Sequence, residues 1–326
     1  MIRALCRIVI VGALAGAATA ATAAQAPDWP TKPVRFIVPF PPGGTVDPLA
    51  RLIGQRLSAA LGQQFVVDNR TGGSGSIGTG IAAKATPDGY TYVFVFDTHA
   101  VNPFLIQNLP YDTVKDLAPV MLVGTAPMGL ITAPGKPYKT FADVIKAAKA
   151  KPDAITFGSV GSGSLGHLAM TLVQEAGGFK LVHVPYAGGG PMTTNVLGGH
   201  IELGIGSVAL VAPQIKGGKV RGIVTTGDKR SNALPELPTL IEEGFPGISA
   251  SAWWGILAPA GTPKPVVERF HAELVKVLKQ PDVRKQLTEQ LGMELVVSDP
   301  AALQKFILAE MARWGKVVKQ HAIRAD

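Results

Sequence analysis

The stretch "VPFPPGGTVDPLARLIGQRL", Val38 to Leu57, sets the fold of the N-terminal part of the chain. It begins as an apolar β-strand, breaks at two prolines and two glycines, and resumes with helical spacing. A strand that leads into a helix through a Gly-rich turn predicts an anion site, because the first N–H groups of a helix lack intrahelical partners. The face that this helix turns towards a sheet carries Leu49, Leu52, Ile53 and Leu57.

Strand-like and helix-like runs alternate along the rest of the chain, which predicts an α/β fold with a largely parallel sheet. The strand-like runs include "QFVVDN", "YTYVFVF", "VMLVG", "GLITA", "AITFGS", "LVHVPY", "IELGIGS", "VRGIVTT" and "WWGILAPA". The helix-like runs include "FADVIKAAKA", "LGHLAMTLVQEA", "PVVERFHAELVKVLKQ" and "AALQKFILAEMARWGKVVKQ". Segments near Gly124 and Ile248 are candidate crossings between two lobes, which would assign 25–124 and 250–326 to lobe 1 and 125–249 to lobe 2.

The first 24 residues have the pattern of a secretory signal peptide. Arg3 and Arg7 precede an apolar run from Ile8 to about Ala18, and small residues follow, so we expect cleavage near Ala24. The single cysteine of the sequence, Cys6, lies inside this segment. The mature protein is therefore predicted to be exported, free of disulfides and too polar to be a permease itself.

The charge balance favours anionic partners without identifying one. Without the signal peptide, 29 lysines and arginines face 23 acidic residues, a formal net charge of +6. These basic residues are scattered, and no basic run is interleaved with aromatic residues, so nucleic acid is not an expected partner.

The Gly-rich turn recurs twice, in "FGSVGSGSLGHLAMTLVQEAG" and in "VHVPYAGGGPMTTNVLGG". Ser164 is the predicted N-cap of the second helix, Pro191 is predicted to open the third, and Pro48 after a capping Asp47 opens the first. One helix N-terminus returns about 0.3 to 1 kcal/mol, whereas desolvating a charged ligand costs several. Three convergent turns with hydroxyls would hold a small carboxylate without Arg or Lys, although any one of these turns alone is better explained as a plain connection between strand and helix.

The sequence supports an enzymatic function less well than it supports a carboxylate-binding site. "GGSGSIG", Gly72 to Gly78, followed by Asp97 has the spacing of a dinucleotide site, but "DNRTG" separates the strand from the first motif glycine. Ser162 or Ser164 beside His167 suggests a hydrolase, yet "SGSLG" lacks the first glycine of the nucleophile motif. The six histidines are too scattered for metal-ligand spacing. We therefore expect no catalytic residue, no cofactor and no metal.

The same stretches closely resemble the Bug-type substrate-binding proteins of tripartite tricarboxylate transporters, over essentially the whole mature chain. The matching segments include "WPTKPVRFIVPFPPGGTVDPLAR", "NRTGGSGSIG", "LPYDTVKDLAPV", "GSVGSGSLGHL", "VHVPYAGGGPM", "RSNALPELPTLIEEGFPG" and "WWGILAPAGTP". The resemblance implies a two-lobed type II periplasmic-binding-protein-like fold, each lobe a mixed sheet flanked by helices, with the ligand cleft between the lobes.

The resemblance also implies the function. The chain would be a monomeric periplasmic receptor that captures a small carboxylate, either a di- or tricarboxylate or an aromatic acid, and delivers it to integral-membrane permease subunits. A receptor for a membrane sensor kinase and an exported oxidoreductase or hydrolase remain the alternatives.

Carried over by motif, the ligand-binding residues would come from both lobes. Lobe 1 would supply Phe40, Pro42, Gly43, Gly44, Thr45, Asp47, Thr98 and His99. Lobe 2 would supply Ser159, Gly161, Gly163, Ser164 and His167, with Tyr186, Gly188, Pro191, Gly206 and Ser207. Many relatives read "VDLxFD" where this chain reads "IELGIGS", so Gly206 replaces an aspartate suited to a ligand's ammonium group. An amino-acid ligand is therefore not expected.

Overall fold

The computed structural model describes residues 28–325. The predicted signal peptide and Cys6 lie outside the described residues. In this range no helix is both long and apolar enough to cross a membrane.

Ten strands are present in residues 28–325: β1 (Val34–Val38), β2 (Phe65–Asn69), β3 (Thr91–Val95), β4 (Leu117–Thr132), β5 (Thr156–Ser159), β6 (Val182–Pro185), β7 (Leu203–Ser207), β8 (Arg221–Thr225), β9 (Ser251–Pro259) and β10 (Glu294–Leu295). The same range holds ten α-helices: α1 (Val46–Leu61), α2 (Ser76–Ala83), α3 (Asn102–Leu105), α4 (Phe141–Ala150), α5 (Leu165–Gly177), α6 (Gly189–Leu197), α7 (Val208–Lys216), α8 (Lys264–Lys279), α9 (Pro281–Lys285) and α10 (Pro300–Gln320). The predicted α/β alternation is confirmed, but "VMLVG" and "GLITA" belong to one long strand, β4, rather than to two.

The strands form two mixed sheets that share β4. In lobe 1 the order is β2-β1-β3-β9-β4, with β2, β1 and β3 parallel, β9 and β4 antiparallel, and β10 on β4. In lobe 2 the last part of β4 pairs with β7 on one side and β8 on the other, and β5 and β6 continue the sheet beside β7 in parallel. Helices cover both sheets, as βαβ connections require.

Two antiparallel strands connect the lobes. β4 pairs with β9 from Leu117 opposite Pro259 to Pro127 opposite Ser251, and β4 then enters the sheet of lobe 2 at Met128. The chain therefore leaves and re-enters lobe 1 along one strand pair. We keep the predicted lobe boundaries near Gly124 and Ile248 as a prediction of where the lobes bend relative to each other.

Two of the three predicted helix starts differ in detail from the prediction. Thr45 is the N-cap residue of α1, so Asp47 and Pro48 are its second and third residues instead of cap and first residue. Gly188 is the N-cap residue of α6, which makes Pro191 the third residue. Proline fits there because none of the first-turn N–H groups has an intrahelical partner. Ser164 is the N-cap residue of α5 as predicted.

Candidate ligand-binding site

A narrow cavity lies between the two lobes, with a volume of about 20 Å³ open to the centres of water-sized molecules. Five of the residues predicted for the site line it: Phe40, Gly44, Thr45, Gly188 and Ser207. Five further residues that line it were not predicted: Val46, Phe96, Val160, Gly189 and Leu210. Both lobes contribute, so a molecule held here would contact each of them.

Three helices begin at this cavity. Their N-cap residues, Thr45 of α1, Gly188 of α6 and Ser207 of α7, all line it. In the part of the chain that the structure describes, no side chain caps these three helices. Their first N–H groups and their positive dipole ends therefore remain available to an anion.

The convergence differs from the predicted one in a single helix. The turns before α1 and α6 were predicted to meet, and they do. The turn before α5 contributes Val160, while the third N-terminus belongs to α7. Among residues 28–325, no cationic side chain lines the cavity. An anion bound there would rely on N–H groups, hydroxyls and helix dipoles.

Thr45 is held by a tryptophan behind the loop. Trp254 Nε1 donates a hydrogen bond of 3.1 Å to Thr45 Oγ1, and Trp254 itself is buried. An indole N–H is only a donor, so the threonine hydroxyl accepts in this contact and keeps its own proton for another acceptor. Thr45 is thereby prepared to donate to a carboxylate oxygen.

Asp47 anchors the loop between β1 and α1, which we call the binding loop, instead of lining the cavity. Its buried carboxylate accepts hydrogen bonds of 2.9 Å from Arg51 Nε, Arg51 Nη2 and Asn69 Nδ2. Asn69 Nδ2 also donates to the carbonyl oxygen of Phe40 at 2.9 Å. The carboxylate is therefore engaged in fixing the conformation of the loop and the start of α1.

The predicted residues Pro42, Gly43 and Pro191 lie beside the cavity, along a groove where the two lobes touch. The lobes approach closely here, because a Cβ placed on Gly190 would lie 3.1 Å from the carbonyl oxygen of Pro42 and 3.2 Å from that of Gly43. Gly43 has a φ of +89°, a conformation that glycine adopts without strain. The structure is thus that of lobes closed upon each other.

Gly161 and Gly163 form a second contact between the lobes. A Cβ on Gly161 would lie 3.0 Å from Ser74 Oγ, and one on Gly163 would overlap Leu105 Cδ1 at 1.9 Å. Both glycines have positive φ, +131° and +73°. They permit close approach of lobe 2 to lobe 1, which a larger residue would prevent.

Ser159 and His167 belong to a cluster of lobe 2 with His183. The two imidazole rings stack at 3.7 Å, and Ser159 Oγ hydrogen-bonds His183 Nε2 at 2.7 Å and the carbonyl oxygen of Gly161 at 2.9 Å. The N–H of Gly163 donates to His167 Nδ1 at 3.2 Å. Burial, and then the charge of His183, lower the pKa of His167 to about 3, so His167 is neutral at ordinary pH. Tyr186 borders this cluster, and its N–H donates to the carbonyl oxygen of Ser159 at 3.1 Å.

Thr98 and His99 lie in lobe 1, in a closely packed region that also contains Phe40 and Phe96. Thr98 Oγ1 donates to the carbonyl oxygen of Ser74 at 2.8 Å. Neither ring nitrogen of the buried His99 has a hydrogen-bond partner within residues 28–325, and burial lowers its pKa to about 3. Both residues support the binding loops from behind.

Ser164 and Asp97 both lie where lobe 1 packs on the start of α5, since the amide of Leu165, the residue after Ser164, faces the Asp97 carboxylate. Both are fully buried; Ser164 Oγ has no hydrogen-bond partner among the described residues, and no side chain of that range pairs with the Asp97 carboxylate. Burial raises the pKa of Asp97 to about 8, the charge of Glu310 adds to this, and the amides of Leu165 and Thr98 offset only part of it. This predicted acid of a dinucleotide site therefore faces a helix of the other lobe.

The glycines of "GGSGSIG" have a packing role. A Cβ on Gly78 would lie 2.5 Å from the carbonyl oxygen of Arg70 and 2.8 Å from Pro39 Cβ, and one on Gly75 would lie 3.0 Å from the ring of Phe40. They allow α2 to pack directly against the strand end that carries the binding loop. This contact accounts for the motif without a dinucleotide.

Comparison with known proteins identifies the family. The profile described as "Tripartite tricarboxylate transporter family receptor" matches residues 49–323. The chain belongs to this family. It is 36% identical over 322 residues to the "UPF0065 protein in tcbD-tcbE intergenic region" of Pseudomonas sp. (strain P51), covering 98% of this chain and 96% of that one. It is 33% identical over 315 residues to Protein BugT of Bordetella pertussis, covering 96% of each chain.

Solved structures share the fold. The periplasmic binding protein BugD superposes with a TM-score of 0.86 at 32% identity, covering 91% of this chain and 100% of that one. Rpa4515 of R. palustris, solved with adipate, gives 0.87 at 35% identity, with 91% and 99% covered. MatC of Rhodopseudomonas palustris, with bound malate, gives 0.83 at 30% identity, with 89% and 100% covered. The predicted two-lobed periplasmic-binding-protein fold and the predicted family are thus confirmed.

Proposed function

We propose that this family member captures a small carboxylate in the cavity between its lobes and delivers it to the permease of a tripartite tricarboxylate-type transporter. The observation that carries the proposal is the convergence of the N-termini of α1, α6 and α7 on a cavity without a cationic lining among the described residues. Two relatives of the same fold were solved with the dicarboxylates adipate and malate, which supports a carboxylate ligand.

Binding and closure are one process in this proposal. A carboxylate reaching α1 alone would gain only part of the available stabilisation, because one helix N-terminus contributes about 0.3 to 1 kcal/mol. Closure adds the N-termini of α6 and α7 from lobe 2 and excludes water, which strengthens each interaction. The closed form, with Gly190 against Pro42 and Gly43, would be the form that a permease recognises.

We further propose that the protein has no catalytic role. The hydroxyl of Ser164 is buried and lacks a hydrogen-bond partner within the described chain, so it is not paired with a general base as an activated nucleophile would be. We also propose that the mature chain begins after Ala24 and acts in the periplasm. We propose that it is monomeric, because one chain supplies both walls of the cavity.

Calorimetric titration of the mature protein, unfolded and refolded to remove carried-over ligand, tests the proposal. Succinate, adipate, malate, citrate, benzoate, aspartate and NAD form the panel. We expect binding of at least one carboxylate and none of NAD. The substitution Thr45→Val should weaken that binding about 10- to 150-fold, since it removes one hydrogen bond to a charged group, worth about 1.5 to 3 kcal/mol.

Thr288→Val is the matched control, because Thr288 does not line the cavity and its hydroxyl donates to the carbonyl oxygen of Arg284. It should leave affinity unchanged. Binding of NAD alone, or an equal effect of both substitutions, would contradict the proposed function.

A further inference from the structure

Leu210 covers the inner face of lobe 2. It is the third residue of α7, it lines the cavity, and its branched end lies on two glycines. A Cβ on Gly189 would lie 2.5 Å from Leu210 Cδ2, and one on Gly206 would lie 2.8 Å from the same atom. Only residues without a side chain at these two positions leave Leu210 the space that it occupies.

The opposite wall is also hydrocarbon. Phe40 and Phe96 of lobe 1 pack edge to face with ring centroids 5.9 Å apart, and Phe96 packs on Trp254 at 5.4 Å. Both phenylalanines are buried and line the cavity. These rings are held by their neighbours, so the wall has little freedom to adapt to a polar group.

Polar groups are therefore confined to the helix ends. The polar lining consists of the backbone and hydroxyls at Gly44, Thr45, Gly188, Gly189 and Ser207, whereas Leu210 and the aromatic wall supply the largest apolar side chains of the lining. A ligand whose charged ends contact the helix N-termini would place its carbon chain between Leu210 and Phe40. A hydroxyl or ammonium group on that chain would be desolvated without a partner.

We propose that Leu210, in the space left by Gly189 and Gly206, selects carboxylic acids with an unsubstituted aliphatic or aromatic body and rejects those that carry a hydroxyl, an ammonium group or a further carboxylate on it. This inference rests on the proposed function. It narrows the ligand to a chemical class that carboxylate binding alone does not specify.

Two matched sets of ligands test the inference by calorimetry on the mature protein. Succinate, malate and aspartate share one carbon skeleton and differ only in a hydrogen, a hydroxyl or an ammonium group. Adipate and its tetrahydroxy derivative galactarate repeat the comparison at greater length. We expect the unsubstituted acid of at least one set to bind at least tenfold more tightly than its substituted partners.

The variant Leu210→Asn replaces the apolar side chain by a polar one of similar size. It should lower affinity for the unsubstituted acid and reduce the discrimination at least tenfold, while Leu308→Asn, at an exposed site on α10, should change neither. Should Leu210→Asn fail to fold, Leu210→Ala serves as the second variant, with the same expected loss of discrimination.

The outcomes separate this inference from the proposed function. If no carboxylate binds, the proposed function fails. If in neither set the unsubstituted acid binds tenfold more tightly than its substituted partners, or if both folded Leu210 variants keep the wild-type ratio, the selectivity inference fails while the receptor function stands.

Discussion

The hydroxyl of Ser74 in lobe 1 donates a hydrogen bond of 3.3 Å to the carbonyl oxygen of Ser162 in lobe 2. Ser74 is held in place for this contact, because its own carbonyl oxygen accepts from Thr98 Oγ1 at 2.8 Å and from Asn102 Nδ2 at 3.1 Å. Its φ of +50° is unusual for a residue with a side chain. The bond crosses between the lobes away from the cavity, so it acts on closure and not on the ligand.

Removing this bond should weaken ligand binding without touching the binding site. Ser74→Gly deletes the hydroxyl and suits the positive φ, so we expect the free energy of unfolding to stay within about 1 kcal/mol of wild type. One net hydrogen bond of about 0.5 to 1.5 kcal/mol predicts a 2- to 12-fold rise in Kd. Titration with the best-binding carboxylate measures it, and an unchanged Kd would show that this bond does not favour the closed form.

Gly190 offers a sharper way to hold the lobes apart. A Cβ there meets the backbone of Pro42 and Gly43 at 3.1 to 3.2 Å, and backbone cannot move aside as a side chain end can. Because Gly190 is the second residue of α6, alanine suits the helix, so Gly190→Ala should keep or raise the melting temperature while Kd rises at least tenfold.

Gly135→Ala is the control for Gly190→Ala, since no atom lies within 4 Å of a Cβ at Gly135. It should leave Kd unchanged. Small-angle scattering with ligand present should show a more open Gly190→Ala protein, and normal affinity with normal closure would disprove the steric argument.

The fold was largely predictable because most of its strands and helices have recognisable local sequence patterns. The units around α1 and α6 combine a strand, a Gly/Pro break and a helical apolar face, three signals that agree. α7 escaped prediction because it begins at Val208, directly after the last residue of β7, with no loop between strand and helix, and because Pro213 lies inside the helix. β4 was split because Pro127 reads as a strand end, although it lies where β4 passes from one sheet to the other.

The polar part of the candidate site was more predictable than its apolar walls. Glycines and hydroxyls in repeated turns mark Gly44, Thr45 and Gly188 as unusual in the sequence. Phe96, Val160 and Leu210 carry no such mark, because an apolar residue that lines a cavity looks the same in sequence as one in the core. Only the packing of two lobes shows which of them face a ligand.

Acid should destabilise the protein through His99. Its folded-state pKa of about 3 lies below the value of about 6.5 in an unfolded chain, so the unfolded state binds more protons between these values. Stability is therefore fully present above about pH 6.5 and is lost as the pH falls towards 3. We call this fall of the unfolding free energy at low pH the acid limb and measure it by urea unfolding. His99→Phe should make the acid limb less steep, although His167, whose pKa is also lowered, keeps part of it.

The exposed His200 provides the control for His99→Phe. His200→Gln should leave the acid limb as it is. An acid limb of wild-type slope in His99→Phe would mean that His99 is not buried as a neutral group.

Asp97 predicts a change of the opposite sign. Its folded-state pKa of about 8 lies above the unfolded value of about 3.9, so the folded state binds more protons in between. The stability linked to this group is fully present below about pH 4 and is lost as the pH rises through about 8. Asp97→Asn should therefore unfold at higher urea concentration than wild type at pH 8, with the difference shrinking towards pH 4.

The partner residue Glu310 makes the Asp97 prediction specific. Glu310 on α10 raises the pKa of Asp97 by its charge, while its Oε2 accepts from Trp314 Nε1 at 3.0 Å. Glu310→Gln keeps an acceptor for that indole but removes the charge, which lowers the folded-state pKa of Asp97. The loss of stability on going to alkaline pH should then be complete at a lower pH and be smaller than in wild type. In Asp97→Asn this loss should be absent. If Asp97→Asn is instead less stable than wild type at pH 8, the prediction is wrong. The carboxylate would then be ionised at that pH, and the stabilisation that it gains from the amide of Leu165 across the lobes would exceed the cost of its burial.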